Sequence, residues 1–156
     1  MFMMQLLELR VPPIIQLLAM ALLMWSVSRY LPAFALPIGG AVWLATAYFI
    51  AGTVLAILGV REFRKARTSV DPRTPAKAGK LVSAGVYRIS RNPMYLGMLL
   101  VLIGWAFYLR SSLALALLPV FVVYMSYFQI KPEERFMREK FTGAYDAYCS
   151  AVGRWL

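Results

Sequence analysis

The sequence predicts an all-α, polytopic integral membrane protein with about four transmembrane helices and short cytoplasmic C-terminal interfacial helices. Of its 156 residues, 61% are hydrophobic and 15% are charged, whereas soluble domains carry about 25% charged residues. The apolar residues gather in four runs that have no Asp, Glu, Lys or Arg in their middles. Because lipid offers no partner to free backbone groups, these runs are expected to be helical. The length indicates one domain, residues 1–156.

The four apolar runs cover about residues 14–30, 38–60, 93–109 and 113–130. A spanning helix needs roughly 17–25 residues, so the first and third runs lie near the lower limit. In the second run, Gly52 and Ala56 form a pair of small residues four apart, which favours close packing against another helix.

Lysines and arginines predict the orientation of the chain. They concentrate between residues 61 and 91 and in the tail after residue 130, while the two remaining turns hold one each, Arg29 and Arg110. Basic residues mark cytoplasmic loops, so both termini and the central loop are expected in the cytoplasm. The net charge of +10 therefore indicates membrane loops, and a nucleic-acid partner is not expected. Turn residues at 71–75 predict irregular structure in the central loop.

The tail after residue 130 changes character. Pro132 suits the first position of a new helix, and Gly143 is expected to end it. Tyr145 and Tyr148 then predict a second short piece that is anchored at the membrane interface by aromatic rings.

The residue types exclude several kinds of site. The chain has no histidine, which removes the commonest general base and any histidine metal site, and no metal is expected. Its single cysteine, Cys149, excludes an intrachain disulfide and is expected to be filler.

A basic stretch precedes the third run. Asn92 suits the N-cap and Pro93 the first helical position, so these residues are expected to begin a helix. Arg88 and Arg91 come just before that N-terminus, where free N–H groups and arginines make an anion site. The alternative is that each arginine reaches out to lipid headgroups.

Two acidic residues, Glu133 and Glu134, follow the fourth run. Because a hairpin returns to the side it left, they are expected to meet the arginine cluster on one membrane face. One carboxylate would pair with arginine and the other would bind a cationic group, and which does which is open. Acids are also favoured in any first helical turn. Gln129 and Ser126 share the face of Glu133 and form a polar stripe, or else join helices.

These motifs carry a resemblance. The string from Gly85 to Gly97 (GVYRISRNPMYLG), followed by Glu133-Glu134-Arg135 and by residues 141–148 (FTGAYDAY), resembles the isoprenylcysteine carboxyl methyltransferase family. The phospholipid N-methyltransferases share much of this pattern. The match covers residues 81–156, which the resemblance makes a cofactor-binding catalytic core after two spans and a basic loop in residues 1–80.

The resemblance implies that S-adenosyl-L-methionine binds at the cytoplasmic face and that a lipophilic small molecule or lipidated substrate is methylated beside the bilayer. The expected catalytic residues are Arg88, Glu133 and Glu134. The expected cofactor-binding residues are Tyr87, Arg91, Asn92, Pro93, Tyr95, Leu96, Gly97, Gln129, Glu133, Glu134, Tyr145 and Tyr148. Asn92 stands where the family often has histidine, and it can donate a hydrogen bond but cannot titrate.

The absence of histidine favours a carboxylate acceptor, because a carboxylate needs no base before methylation. The alternatives are a phospholipid-type amine N-methyltransferase, a sterol-type reductase that uses NADPH, and a membrane scaffold without catalysis. The oligomeric state is open.

Overall fold

The computed structural model describes residues 11–67 and 79–156, and these form helices α1 (Pro13–Tyr30), α2 (Ala41–Lys65) and α3 (Pro93–Leu109). Three further helices then follow in close succession: α4 (Ser112–Ala116), α5 (Leu118–Met125) and α6 (Lys131–Ala151). A π-helical turn, Ser126–Ile130, joins α5 to α6. The turn predicted at residues 71–75 lies outside the described part of the chain.

The helices confirm an all-α membrane protein. In the part of the chain that the structure describes, three helical stretches are long and apolar enough to cross a bilayer: α1 with 18 residues, α2 with 25, and the continuous 40-residue stretch Ser112–Ala151 that contains α4, α5 and α6. The apolar helix α3 has 17 residues, which corresponds to about 25 Å of helix and meets the lower limit for a span.

Glycines bring α2 and α3 into backbone contact. A Cβ added at Gly52 would lie 2.5 Å from the carbonyl oxygen of Gly97, and one added at Gly97 would lie 2.6 Å from that of Gly52. Farther along, a Cβ at Gly104 would lie 2.8 Å from the carbonyl oxygen of Ala45. The close packing predicted from Gly52 and Ala56 is confirmed, and its partner is α3.

The buried core lies where α1 and α5 pack against α3. Met24, Leu102, Phe121 and Met125 are buried together there. A polar contact adds to this packing, because Trp105 Nε1 donates to the carbonyl oxygen of Ala21 at 2.9 Å.

At one end of the bundle, the two short connections are tied together. Leu36 donates its backbone N–H to the carbonyl oxygen of Arg110 at 2.7 Å, and Ser112 Oγ donates to that of Phe34 at 3.0 Å. The beginning of α1, the end of α2, the beginning of α3 and the beginning of α6 therefore lie at the opposite end. The prediction that the two polar clusters share one face is confirmed.

The tail differs from the prediction in two details. α6 does begin around Pro132, but it continues from the π-helical turn without a gap. Proline lacks an N–H and its ring collides with the carbonyl four residues earlier, so a widened turn before it is the expected accommodation. The backbone leaves helical geometry at Thr142 (φ 37°, ψ −124°), one residue before the break predicted at Gly143.

Candidate active site

A cavity of about 80 Å³ lies at the polar end of the bundle, where the 3-10 turn Gly85–Arg88, the start of α3 and α6 meet. Eight of the predicted site residues line it: Tyr87, Arg91, Asn92, Tyr95, Glu133, Glu134, Tyr145 and Tyr148. Six others were not predicted: Phe63, Lys80, Leu81, Val82, Met94 and Met137. Apart from the cation Lys80, the unpredicted residues are apolar, and nothing in their local sequence distinguishes them from packing residues.

Glu134 is the carboxylate that pairs with arginine. Arg154 donates to it through Nε at 3.0 Å and through Nη2 at 2.6 Å, and Arg91 Nη1 lies 3.4 Å from Oε1. The side chain of Glu134 is 6% exposed, so two cations compensate the cost of burying its charge. The hydrogen bond to Glu134 raises the pKa of the Arg154 guanidinium.

Glu133 has only neutral partners among the described residues. Its Oε1 accepts from Tyr95 Oη at 2.5 Å and from Gln129 Nε2 at 2.9 Å. Both donors go to the same oxygen, which leaves Oε2 without a hydrogen bond from the described residues. Glu133 is therefore the carboxyl that remains available to a ligand in the cavity.

Tyr87 and Tyr148 both line the cavity. Tyr148 Oη donates to the backbone carbonyl oxygen of Tyr87 at 2.6 Å. The Tyr87 hydroxyl is buried and has no hydrogen-bond partner in the described ranges 11–67 and 79–156. Burial is the main cause that raises the pKa of Tyr87 well above its ordinary value, so the hydroxyl stays protonated and can donate to a ligand.

Asn92 precedes α3 as predicted, but its side chain does not cap the helix. Its Nδ2 donates instead to the carbonyl oxygen of Arg154 at 2.9 Å, while Arg91 donates its backbone N–H to the carbonyl oxygen of Gly153 at 3.0 Å. The buried Ser90 accepts from the backbone N–H of Asn92 at 3.1 Å. The stretch before α3 thus holds the C-terminal segment, which carries Arg154 to Glu134.

Five predicted residues do not line the cavity. Gln129 is fully buried and reaches it only through its hydrogen bond to Glu133. Arg88 is exposed on the outer side of the 3-10 turn, and the half-buried Leu96 lies along α3. Gly97 faces Gly52 of α2, and Pro93 is buried in the first turn of α3. Gly97 therefore serves helix packing, and the structure does not bring Arg88 to the other predicted catalytic groups.

Two further predictions concern Ser126 and Cys149. Ser126 Oγ accepts from Trp155 Nε1 at 3.2 Å, so it holds the C-terminal segment and does not extend the polar stripe. Cys149 is half-buried and contacts Arg91 Nη1, a specific contact that the prediction of filler missed.

The phospholipid methyltransferase family profile matches residues 41–144 of this chain. The chain belongs to the phospholipid methyltransferase family. An uncharacterized protein of Haemophilus influenzae is 40% identical to it over 63 residues, which is 40% of this chain and the whole of that relative. No solved structure matches the chain.

The donor set of this phospholipid methyltransferase family member fits the amino-acid part of S-adenosylmethionine. Arg91 Nε and the Tyr87 hydroxyl are buried, and no described residue accepts a hydrogen bond from them. Both are donors of the kind that a carboxylate accepts. Glu133 Oε2 is an acceptor of the kind that an amine requires. The cavity is smaller than the roughly 300–1,000 Å³ of ordinary small-molecule sites, so a ligand of that size would need its walls to move apart.

Sequence reasoning did not find Gln16, which α1 brings to Gln129. Gln16 is 8% exposed, and its Nε2 donates to Gln129 Oε1 at 3.4 Å. Both residues of this pair are polar side chains in otherwise apolar helices. A polar residue in an apolar run was the signal that identified Gln129, and the same signal in α1 could have identified Gln16. Gln16, Tyr145, Tyr148 and Arg154 lie outside the residues that the family profile matches.

Proposed function

We propose that this chain transfers a methyl group from S-adenosylmethionine to a lipophilic acceptor held in the bilayer. The observation that carries the proposal is a set of groups in one cavity: Arg91 Nε and the Tyr87 hydroxyl, which are buried without a hydrogen-bond partner among the described residues, and Glu133, whose two hydrogen bonds both reach Oε1. Bound S-adenosylmethionine would supply a methyl group activated on a sulfonium. Membership of the phospholipid methyltransferase family supports the same reaction class.

The residues around the cavity would hold the two reactants in position and surround them with a low dielectric. Arg91 and Tyr87 would hold the carboxylate of the cofactor, and Glu133 would hold its amine. Tyr95 and Gln129 fix Glu133 from behind by donating to its other oxygen. Holding two reactants close and in line supplies much of the rate enhancement of a group transfer, and the apolar residues Val82, Met94 and Met137 would help to exclude water.

We propose a carboxylate as the acceptor. Glu134 is occupied by two arginines and Glu133 would be occupied by the cofactor, so the described cavity offers no further carboxylate as a base. A carboxylate needs none. Lys80 lines the cavity, and its positive charge would attract an anionic acceptor.

An amine acceptor is the second candidate. Glu133 is a cavity-lining carboxyl with only neutral partners, and such a group can accept the proton that an amine must lose before methylation. In that case the cofactor amine would have to be held by other groups. The description of the family also favours this class.

We place the site on the cytoplasmic side. The site end of the bundle carries Arg61, Arg64 and Lys65 at the end of α2, and Arg88 before α3, whereas the opposite end carries Arg29 and Arg110. This asymmetry supports the orientation by the positive-inside rule. The polar cofactor would then enter from the cytosol and the lipophilic acceptor from the bilayer.

The deciding experiment is a calorimetric titration of the detergent-purified protein with S-adenosylhomocysteine, with NADPH titrated in parallel. We expect saturable binding of S-adenosylhomocysteine alone. Failure of a folded sample to bind it would overturn the proposal, and binding of NADPH in its place would favour a reductase.

Methyl-labelled S-adenosylmethionine incubated with membrane lipid extracts then separates the two acceptor classes. A methyl ester is hydrolysed by mild alkali and releases labelled methanol, whereas an N-methyl group keeps its label. Label that alkali releases as volatile methanol supports the carboxylate acceptor, and lipid-derived label that stays non-volatile after alkali supports the amine.

A further inference from the structure

A chain of hydrogen bonds runs from the first helix to the candidate site. Gln16 Nε2 donates to the backbone carbonyl oxygen of Val11 at 2.9 Å and to Gln129 Oε1 at 3.4 Å. Gln129 Nε2 then donates to Glu133 Oε1 at 2.9 Å. Gln129 is fully buried, so no water competes for its amide.

The contact between Gln16 and Val11 fixes which group donates at each step of this series of hydrogen bonds. A backbone carbonyl can only accept, so the Gln16 amide must turn its NH2 group toward Val11. The same NH2 group then faces Gln129, whose carbonyl oxygen must accept. The NH2 group of Gln129 is thereby left to donate to Glu133. If the Gln129 amide were reversed, its oxygen would face the carboxyl oxygen of Glu133, and the two acceptors would repel each other.

We propose that Gln16 is a positioning residue of the candidate active site, which holds the Gln129 amide in the orientation that donates to Glu133. The consequence is that Glu133 Oε1 is held from behind while Oε2 remains available to a ligand. Gln16 lies on α1, outside residues 41–144 of the family match, so the first helix contributes to the site as well as to the membrane anchor. The functional meaning of this inference rests on the proposed function.

Gln16→Met tests the proposal, because methionine has a similar volume and lacks the amide. Ser28→Ala is the matched control, since Ser28 Oγ also links α1 to another helix, by donating to the carbonyl oxygen of Leu109 at 3.4 Å. That contact lies at the opposite end of the bundle. Both variants are expected to fold, which near-identical melting temperatures would establish.

The first readout needs no ligand. The chain contains three glutamines, Gln5, Gln16 and Gln129, so protein labelled with [15N]glutamine gives three pairs of side-chain amide signals, and Gln129→Met identifies the pair of Gln129. We expect Gln16→Met to shift or broaden that pair and Ser28→Ala to leave it in place. Unchanged Gln129 signals in Gln16→Met would overturn the proposal.

The second readout is the affinity for S-adenosylhomocysteine. Loss of one neutral hydrogen bond in the chain is expected to weaken binding by about tenfold in Gln16→Met. In a Gln129→Met background the same change should cost less than about twofold, because two residues that act through each other are not additive. If Gln16 had a merely structural role, Gln16→Met would lower the affinity equally in both backgrounds, and that result would overturn the proposal. Wild-type affinity in Gln16→Met would overturn it as well.

The two readouts separate this inference from the proposed function. A folded wild-type protein that binds no S-adenosylhomocysteine overturns the proposed function, and the amide signals still decide whether Gln16 orients Gln129.

Discussion

Glu133 and Glu134 are neighbours in the chain, yet their carboxyl groups have opposite kinds of partner. Glu134 accepts two hydrogen bonds from Arg154, at 3.0 and 2.6 Å, while Glu133 accepts from the neutral Tyr95 and Gln129. One carboxylate thus secures the C-terminal segment, and the other has an oxygen available in the cavity. The pair therefore divides a structural task from a ligand-binding task.

Glu133→Gln is expected to keep the fold and to lose cofactor affinity. The carbonyl oxygen of the new amide can still accept from Tyr95 and Gln129, but the charge that would attract an amine is gone. A hydrogen bond to a charged group contributes about 1.5–3 kcal/mol, so binding of S-adenosylhomocysteine should weaken by roughly ten- to a hundredfold. Calorimetry measures this, with exposed Glu139→Gln on the same helix as control. Equal affinity in wild type and variant would remove Glu133 from the binding site.

Glu134→Gln is expected to destabilise the protein. It leaves Arg91 and Arg154 beside a neutral amide, and removing one partner of a buried ion pair costs about 3–5 kcal/mol. The lower end applies here, because the Arg154 side chain is 35% exposed and solvent screens part of its charge. Thermal unfolding in detergent is the measurement. A melting temperature equal to that of Glu139→Gln would contradict the structural role of Glu134.

Asn92→Ala is expected to loosen the C-terminal segment. The hydrogen bond from Asn92 Nδ2 to the carbonyl oxygen of Arg154 is lost, which costs about 1 kcal/mol. Faster digestion by carboxypeptidase measures the loosening. Ser150→Ala is the control, because that exposed hydroxyl donates to the carbonyl oxygen of Ala147 in its own helix. Equal digestion rates for the two variants would show that Asn92 does not hold the segment.

Hydrophobic runs predicted the helices well. The run at 93–109 coincides with α3, because a proline begins that helix and Arg110 follows its last residue. The end of the fourth run was less certain. Because Pro132 lacks an N–H, it predicts that a new helix begins there. The structure instead keeps one continuous helix and widens the turn before Pro132. Local sequence does not distinguish a helix break from a widened turn.

The site was predictable where charges had to be compensated, and less so where the partner lies far along the chain. Two carboxylates after a hairpin had to meet the arginines, and Glu134 does meet Arg91. Which carboxylate does so depends on Arg154, 20 residues farther on. Asn92 satisfied every local rule for an N-cap, but the carbonyl oxygen of Arg154 competes successfully for its side chain.

Gly97 gives the sharpest test of a role that the resemblance assigned to the cofactor. A Cβ at this position would lie 2.6 Å from the carbonyl oxygen of Gly52 and 3.1 Å from the Cβ of Ala56. Neither atom is the far end of a flexible side chain, so Gly97→Ala must push α2 and α3 apart. Overpacking of this kind costs about 1–3 kcal/mol, and we expect a lower melting temperature.

Gly143→Ala is the matched control for Gly97→Ala, because nothing lies within 4 Å of the added Cβ there. Melting temperature and affinity for S-adenosylhomocysteine should be measured on both variants at a temperature where both are folded. If Gly97 serves packing, Gly97→Ala melts lower than Gly143→Ala while its affinity stays close to that of wild type. A variant that melts normally and fails to bind would return Gly97 to the cofactor site. That result would mean that α3 approaches the ligand more closely than its contact with α2 indicates.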